Sequence, residues 1–380
     1  MNRVHLNPAA REHHQAGLFS RDDYARVTHF YDGQATLTAT PLHHLPALAA
    51  ALGIGDVMVK DESSRLGLPA FKIMGVWYAI NELLSAGALE SETKLVCATS
   101  GNHGRAVARA ARLVGLAARV YVPHDALPSR VEAIAGEGAE VIISDGSYND
   151  AVRQAAADAE AHGWKVVSDD AKAHGWKVIS DTSYSGYEEI PRLIMAGYTR
   201  LIDEASKQWD APPEIVLVQG GVGGLVCAVA SWWAYYAGAR RPYFICCEPT
   251  GAACLLESAR AGKPVALEGE LTTKMEGLRC SEVSEIAWPA IAATVDAFVA
   301  IDDEWSFRMM RCLAYPSGSD PRIVAGASGA CGLAALSALL EDHALRDLRE
   351  ASGIDRHSRA LVFNTEGATD PELYQRIIGG

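Results

Sequence analysis

Lys94-Leu95-Val96-Cys97-Ala98-Thr99-Ser100-Gly101-Asn102-His103-Gly104 passes from an apolar run through a short polar turn into an alanine-rich helical pattern. Strand, tight turn and helix in that order form the repeating unit of a parallel sheet covered on both faces. The same rhythm extends outward on both sides. Upstream, Val57-Met58-Val59-Lys60 reads as a strand and residues 71–86 as a helix. Downstream, strands at 119–123 and 140–143 alternate with helices at 128–136 and 148–162. A later set has strands at 214–219, 243–249 and 360–367, with helices at 187–207 and 225–237. The expected fold class is α/β, with two domains, each a mostly parallel twisted sheet flanked by helices. Residues 1–90 and 209–380 are expected to form one domain and 91–208 the other, with a crossing at the polar, proline-containing stretch Trp209 to Pro213.

At 380 residues and 49% hydrophobic, the chain can bury two cores, and 21% charged residues without a single-sign tract argue against long disorder. A formal net charge of −13 disfavours nonspecific binding to nucleic acid or anionic lipid. Eight cysteines without a Cys-x-x-Cys pair suggest buried free thiols in a reducing compartment. Residues 1–16 have no apolar core, so no signal peptide is expected. A cytoplasmic protein with neither a nucleic-acid nor a membrane partner is the expectation. Residues 158–169 (DAEAHGWKVVSD) and 170–181 (DAKAHGWKVISD) differ at two positions and read as a local tandem duplication. One copy is expected as a core strand and the other as a surface extension.

Three features carry chemistry. Lys72 stands between Ala70-Phe71 and Ile73-Met74, an apolar setting that favours a neutral amine. Taken alone, it reads as a surface lysine at a helix start. Thr99-Ser100-Gly101-Asn102-His103 precedes a helix, where successive N–H groups can hold a carboxylate and Asn102 can reach a phenolic oxygen. An ordinary helix cap is the competing reading. Gly220-Gly221-Val222-Gly223-Gly224 follows a strand and suits a phosphate monoester better than a nucleotide. An aldehyde-binding amine, a carboxylate loop and a phosphate loop together point to pyridoxal 5'-phosphate (PLP). Asn364-Thr365-Glu366-Gly367 ends the last strand, and the Thr365 hydroxyl is a candidate partner for the pyridine nitrogen.

Lys60-Asp61-Glu62-Ser63-Ser64-Arg65-Leu66-Gly67-Leu68-Pro69-Ala70-Phe71-Lys72 resembles the cofactor-lysine segment of the diaminopropionate ammonia-lyase family, within the tryptophan synthase β-like group (PLP fold type II). Ala98 to Arg105, Asp181-Thr182 through Gly186-Tyr187, Asp320-Pro321-Arg322-Ile323 and Thr365-Glu366-Gly367-Ala368-Thr369-Asp370 extend the likeness. The resemblance implies elimination of ammonia from 2,3-diaminopropionate, with Lys72 carrying the cofactor, and a homodimer. It also implies that Asp181 takes the α-proton of the L-isomer, with Asp169 of the other copy the lesser candidate. Two positions depart from the family. Its second aspartate is Ser100 here, a far weaker base, which bears on the D-isomer, and its glutamate before Ser-Gly-Ala is Ala327. A serine/threonine dehydratase-like lyase and a non-catalytic PLP-fold binding protein are the alternative readings.

Overall fold

The computed structural model describes residues 2–11, 17–99, 101–146, 148–161 and 176–379. Ser100, Asp169 and most of the duplicated stretch lie outside the described residues.

In chain order the strands are β1 (Arg3–Leu6), β2 (Leu42–His44), β3 (Asp56–Asp61), β4 (Lys94–Ala98), β5 (Ala117–Val122), β6 (Glu140–Ile143), β7 (Trp176–Val178), β8 (Ile215–Gln219), β9 (Tyr243–Pro249), β10 (Ala297–Ile301) and β11 (Arg359–Asn364). They form two sheets. One has seven strands in the order β1-β10-β9-β8-β11-β3-β2, the other four in the order β6-β5-β4-β7. The four-stranded sheet is parallel throughout. The seven-stranded sheet is parallel in its middle, and its two outer strands, β1 and β2, run antiparallel to their neighbours. Its central strand β8 is buried along its whole length, as the unbroken run Ile215-Val216-Leu217-Val218 demands. Adjacent Cys246 and Cys247 on β9 are both buried because both faces of this sheet are covered.

The chain divides into two compact units. One joins the chain up to Phe71 with the chain from Tyr198 onward, and the other is Lys72–Gly197. These crossings differ from those expected at 90/91 and 208/209, and packing explains both shifts. Helix Ile73–Ser85 goes with the second unit because it packs on helix Asn102–Val114. Helix Glu189–Ser206 runs through the second crossing. On its second-unit side Gly197 lies so close to residue 74 that a Cβ would fall 2.6 Å from the Met74 carbonyl oxygen. On its first-unit side Glu204 is held by Lys60 and Arg65. No composition shift marks either point.

Candidate active site

In each unit the topology collects the expected residues at the carboxyl ends of parallel strands, where open α/β sheets place their ligands. In the first unit β8 and β11 are parallel neighbours, with Val362 opposite Leu217. The glycine loop after Gln219 and the Thr365 turn after Asn364 therefore emerge side by side. Gln219 Nε2 ties the two, donating to Phe363 O at 2.6 Å and Gly329 O at 2.9 Å.

The glycine loop needs its glycines. Gly221 and Gly223 have φ of +65° and +95°, which side-chain-bearing residues rarely adopt. A Cβ on Gly220 would meet Glu248 Cγ at 2.6 Å, and one on Gly223 would meet Ile291 Cδ1 at 2.7 Å. The N–H groups of Gly221 and Val222 find no acceptor among the described residues. With the start of helix Gly224–Ala237 directly behind them, these donors fit a phosphate. Thr365 is buried, and its carbonyl accepts from Phe71 N at 3.3 Å. Ala70 and Glu366 form the adjoining bridge, so the residues leading into Lys72 are pinned along the turn that ends β11.

The segment before that point is rigid. Lys60, Glu62 and Arg65 are each at most 1% exposed, and all three belong to one ion network with Glu204. Arg65 and Leu68 close a two-residue turn with paired backbone hydrogen bonds, which holds Leu66 at φ +51° and Gly67 at +76°.

In the second unit β4 and β7 are parallel neighbours, with Val96 opposite Val178. The loop after Ala98 and the stretch Ile179-Ser180-Asp181 therefore leave the sheet at the same edge. Lys72 sits just before helix Ile73–Ser85, and its Nζ donates to Asp181 Oδ2 at 2.6 Å. His103 Nε2 donates to Ile179 O at 2.7 Å, which leaves Nδ1 facing Asp181 Oδ2 at 3.6 Å. His103 belongs to the loop expected to serve a substrate carboxylate, and its ring is engaged with the aspartate strand. Asn102 opens helix Asn102–Val114, and Gly101 N donates to Thr99 Oγ1 at 3.2 Å. Gly104 permits the close approach of this helix, because a Cβ there would meet Val120 Cγ1 at 2.8 Å.

Burial opposes ionisation of Asp181, but the Lys72 ammonium, and after it His103, outweigh burial and hold the carboxyl well below the usual carboxylate range. A residue that sequence reasoning did not assign a role, Tyr187, completes the arrangement. Its hydroxyl donates to Val178 O and accepts from Ser180 N, both at 2.9 Å. Burial pushes the phenol pKa well up, so it stays a hydroxyl able to do both. Ala327, where the resemblance implies a glutamate, is buried in the large core, and Ser306 Oγ donates to its carbonyl.

Residues 34–352 match the family model described as pyridoxal-phosphate dependent enzyme. The chain is 35% identical to the diaminopropionate ammonia-lyase of Escherichia coli (strain K12), over 95% of this chain and 92% of that protein. It is 36% identical to the diaminopropionate ammonia-lyase of Salmonella typhimurium, over 93% and 91% of the two chains. The crystal structure of the E. coli enzyme with an aminoacrylate-PLP azomethine reaction intermediate superposes with a TM-score of 0.89 at 33% identity, covering 100% of this chain and 97% of that one. An amine held against a carboxylate, glycine-lined donors for a phosphate and full-length likeness lead to one conclusion: this chain belongs to the diaminopropionate ammonia-lyase family of PLP-dependent enzymes.

Proposed function

We propose that this chain removes ammonia from 2,3-diaminopropionate by PLP-dependent α,β-elimination. One diaminopropionate and one water give one pyruvate and two ammonia. Bound at Lys72, PLP supplies the electron sink that acidifies the substrate α-hydrogen and lets the β-amino group leave. Among the chain's own residues, Gly220, Gly221, Val222, Gly223 and Gly224 would hold the phosphate, Thr365 the pyridine nitrogen and Asn102 the phenolic oxygen. Thr99, Ser100, Gly101, Asn102 and His103 would hold the substrate carboxylate at the start of a helix.

The observation that carries the proposal is the 2.6 Å contact between Lys72 Nζ and Asp181 Oδ2. While Lys72 is an ammonium, Asp181 is a weak base. Once that nitrogen no longer carries the charge, burial raises the carboxyl and makes it a better acceptor for the α-proton of the L-isomer. Asp181→Asn keeps the shape and removes the base. It is expected to lower kcat on L-2,3-diaminopropionate by about 10²-fold or more, with cofactor absorbance retained. Unchanged kcat would remove Asp181 from the reaction.

Ser100 favours a second reading, a dehydratase-like lyase acting on serine or threonine. Assaying 2-oxoacid release from L-serine, L-threonine and both diaminopropionate isomers separates the two. A cytoplasmic homodimer is part of the proposal through family resemblance, and light scattering of the purified protein tests its assembly state.

A further inference from the structure

We propose that Tyr187 is a positioning residue for Asp181, and that its hydroxyl decides which of the two repeated segments occupies the strand beside β4. The first half rests on the reading of Asp181 given above.

β7 is only three residues long, and its pairing with β4 ends at Val178 opposite Val96. Beyond it, Ile179 N donates to Val96 O at 2.8 Å. From there the chain is held by side chains. His103 takes the Ile179 carbonyl, while Tyr187 takes the Val178 carbonyl and the Ser180 amide. Asp181 is the next residue, so these contacts set where its carboxylate points. Tyr187 is itself well fixed. It is 8% exposed and pairs with Tyr184 through two backbone hydrogen bonds of 3.3 and 2.8 Å. Gly186 at φ +83° closes that turn, and the two tyrosine rings stack with centroids 5.2 Å apart.

The duplication gives this contact a second consequence. Trp164 to Asp169 repeats Trp176 to Asp181 except that Val167 stands for Ile179. Strand pairing and the His103 contact both use backbone groups of this segment, and the first copy could supply them equally. The hydroxyl contact is different. Tyr187 lies nine residues after Val178 (187 − 178), and nine residues after Val166 lies Gly175 (166 + 9). Glycine has no hydroxyl to bridge a carbonyl and an amide. A sheet register that backbone pairing leaves degenerate is thus specified by one side chain.

The test uses Tyr187→Phe in two backgrounds: the full chain and a chain lacking residues 158–169. The deletion places Asp170 after Ala157, where Asp158 stood, so the partner of Tyr121 Oη keeps its type. The deletion alone is expected to leave kcat within about twofold, since the proposed machinery is untouched. In the full chain Tyr187→Phe should lower kcat about tenfold with little change in KM, because looser positioning of Asp181 and competition from the other copy add together. Without cofactor, the same variant should speed amide hydrogen exchange at Ser180 and raise the titration midpoint of the Asp181 carboxyl as it leaves Lys72. In the deletion background the kcat loss should shrink to about threefold or less, because no competing copy remains. Wild-type exchange, titration and kcat in the full-chain variant would overturn the positioning role. An equal loss in both backgrounds would overturn the copy-selecting role. Should wild type fail to turn over diaminopropionate, the functional reading falls, while exchange and titration still decide this one.

Discussion

Lys60 and Lys72 stand in one stretch of chain and both pair with carboxylates, yet their surroundings are opposite. Lys60 is fully buried, donating to Thr40 O at 2.7 Å and to Glu204 Oε2 at 3.0 Å. Arg65 shares the site, bound to both Glu62 and Glu204, and Thr40 Oγ1 donates to Glu62 at 2.6 Å. Burial pushes the Lys60 ammonium down from its usual pKa, while Glu62 and Glu204 push back. Lys72 is 22% exposed and its salt bridge is to Asp181, itself 18% exposed. A lysine wrapped in several acceptors cannot change partners without leaving charges stranded in the core. A partly exposed lysine bridged to a carboxylate can exchange that bridge for a covalent bond. The difference separates a lysine that builds the scaffold from one that is available for chemistry.

Replacing each lysine's support tests the contrast. Lys72→Ala should abolish the visible cofactor band and lower turnover by at least about 10³-fold. Its unfolding free energy should change by no more than about 1 kcal/mol, because the pair is partly exposed. Denaturant unfolding beside a spectrum and an activity assay reads all three. Glu204→Gln should do the reverse. It leaves Lys60 and Arg65 short of counter-charge in the core, at a cost of about 3–5 kcal/mol in stability. Once the variant is held folded at low temperature, its kcat should stay close to wild type. A stable Glu204→Gln protein, or a badly destabilised Lys72→Ala protein, would erase the distinction.

The sequence made the sheets more legible than the contacts. Strands Lys94–Ala98, Glu140–Ile143 and Tyr243–Pro249 were read to the residue, because each is an apolar run bounded by polar or turn-forming residues. β1 and β2 were not read at all. RVHL and LHH are too short and polar to announce a strand, and they become strands by pairing at the two edges of a sheet. β10, with the run AFVAI, was missed because two alanines dilute its strand character directly after an alanine-rich helix. At the site, Lys72, Asp181 and the glycine loop were singled out through motif and resemblance. The roles of Tyr187 and Glu204 were not, for two different reasons. Tyr187 reaches Val178 only after the Tyr184–Tyr187 turn folds back. Glu204 meets Lys60 across 144 residues of chain, a pairing no local pattern encodes.

A smaller effect separates the two carboxylates of the comparison by pH. Glu204 and Asp181 both have depressed folded-state values, so each contributes stability above the ordinary carboxylate range and loses it as pH falls through its folded value. For Glu204, burial opposes ionisation and Arg65 with Lys60 overcomes it. That balance does not involve Lys72, so in Lys72→Ala the Glu204 contribution should survive between pH 7 and about pH 4. Asp181 behaves differently, because its first favourable partner is Lys72 itself. With that ammonium gone, burial acts against only His103 and a backbone hydrogen bond, and the carboxyl rises toward or above its unfolded value. A raised folded value reverses the sign: the ionised form is then disfavoured by folding, and stability is recovered as pH falls and the carboxyl takes up a proton. Wild type should therefore lose stability, or hold it, on going from pH 7 to pH 4. Lys72→Ala should lose measurably less than wild type over the same interval. Identical pH slopes in urea unfolding of the two proteins would mean that Asp181 does not depend on Lys72 for its charge, and the contrast between the two lysines would then rest on burial alone.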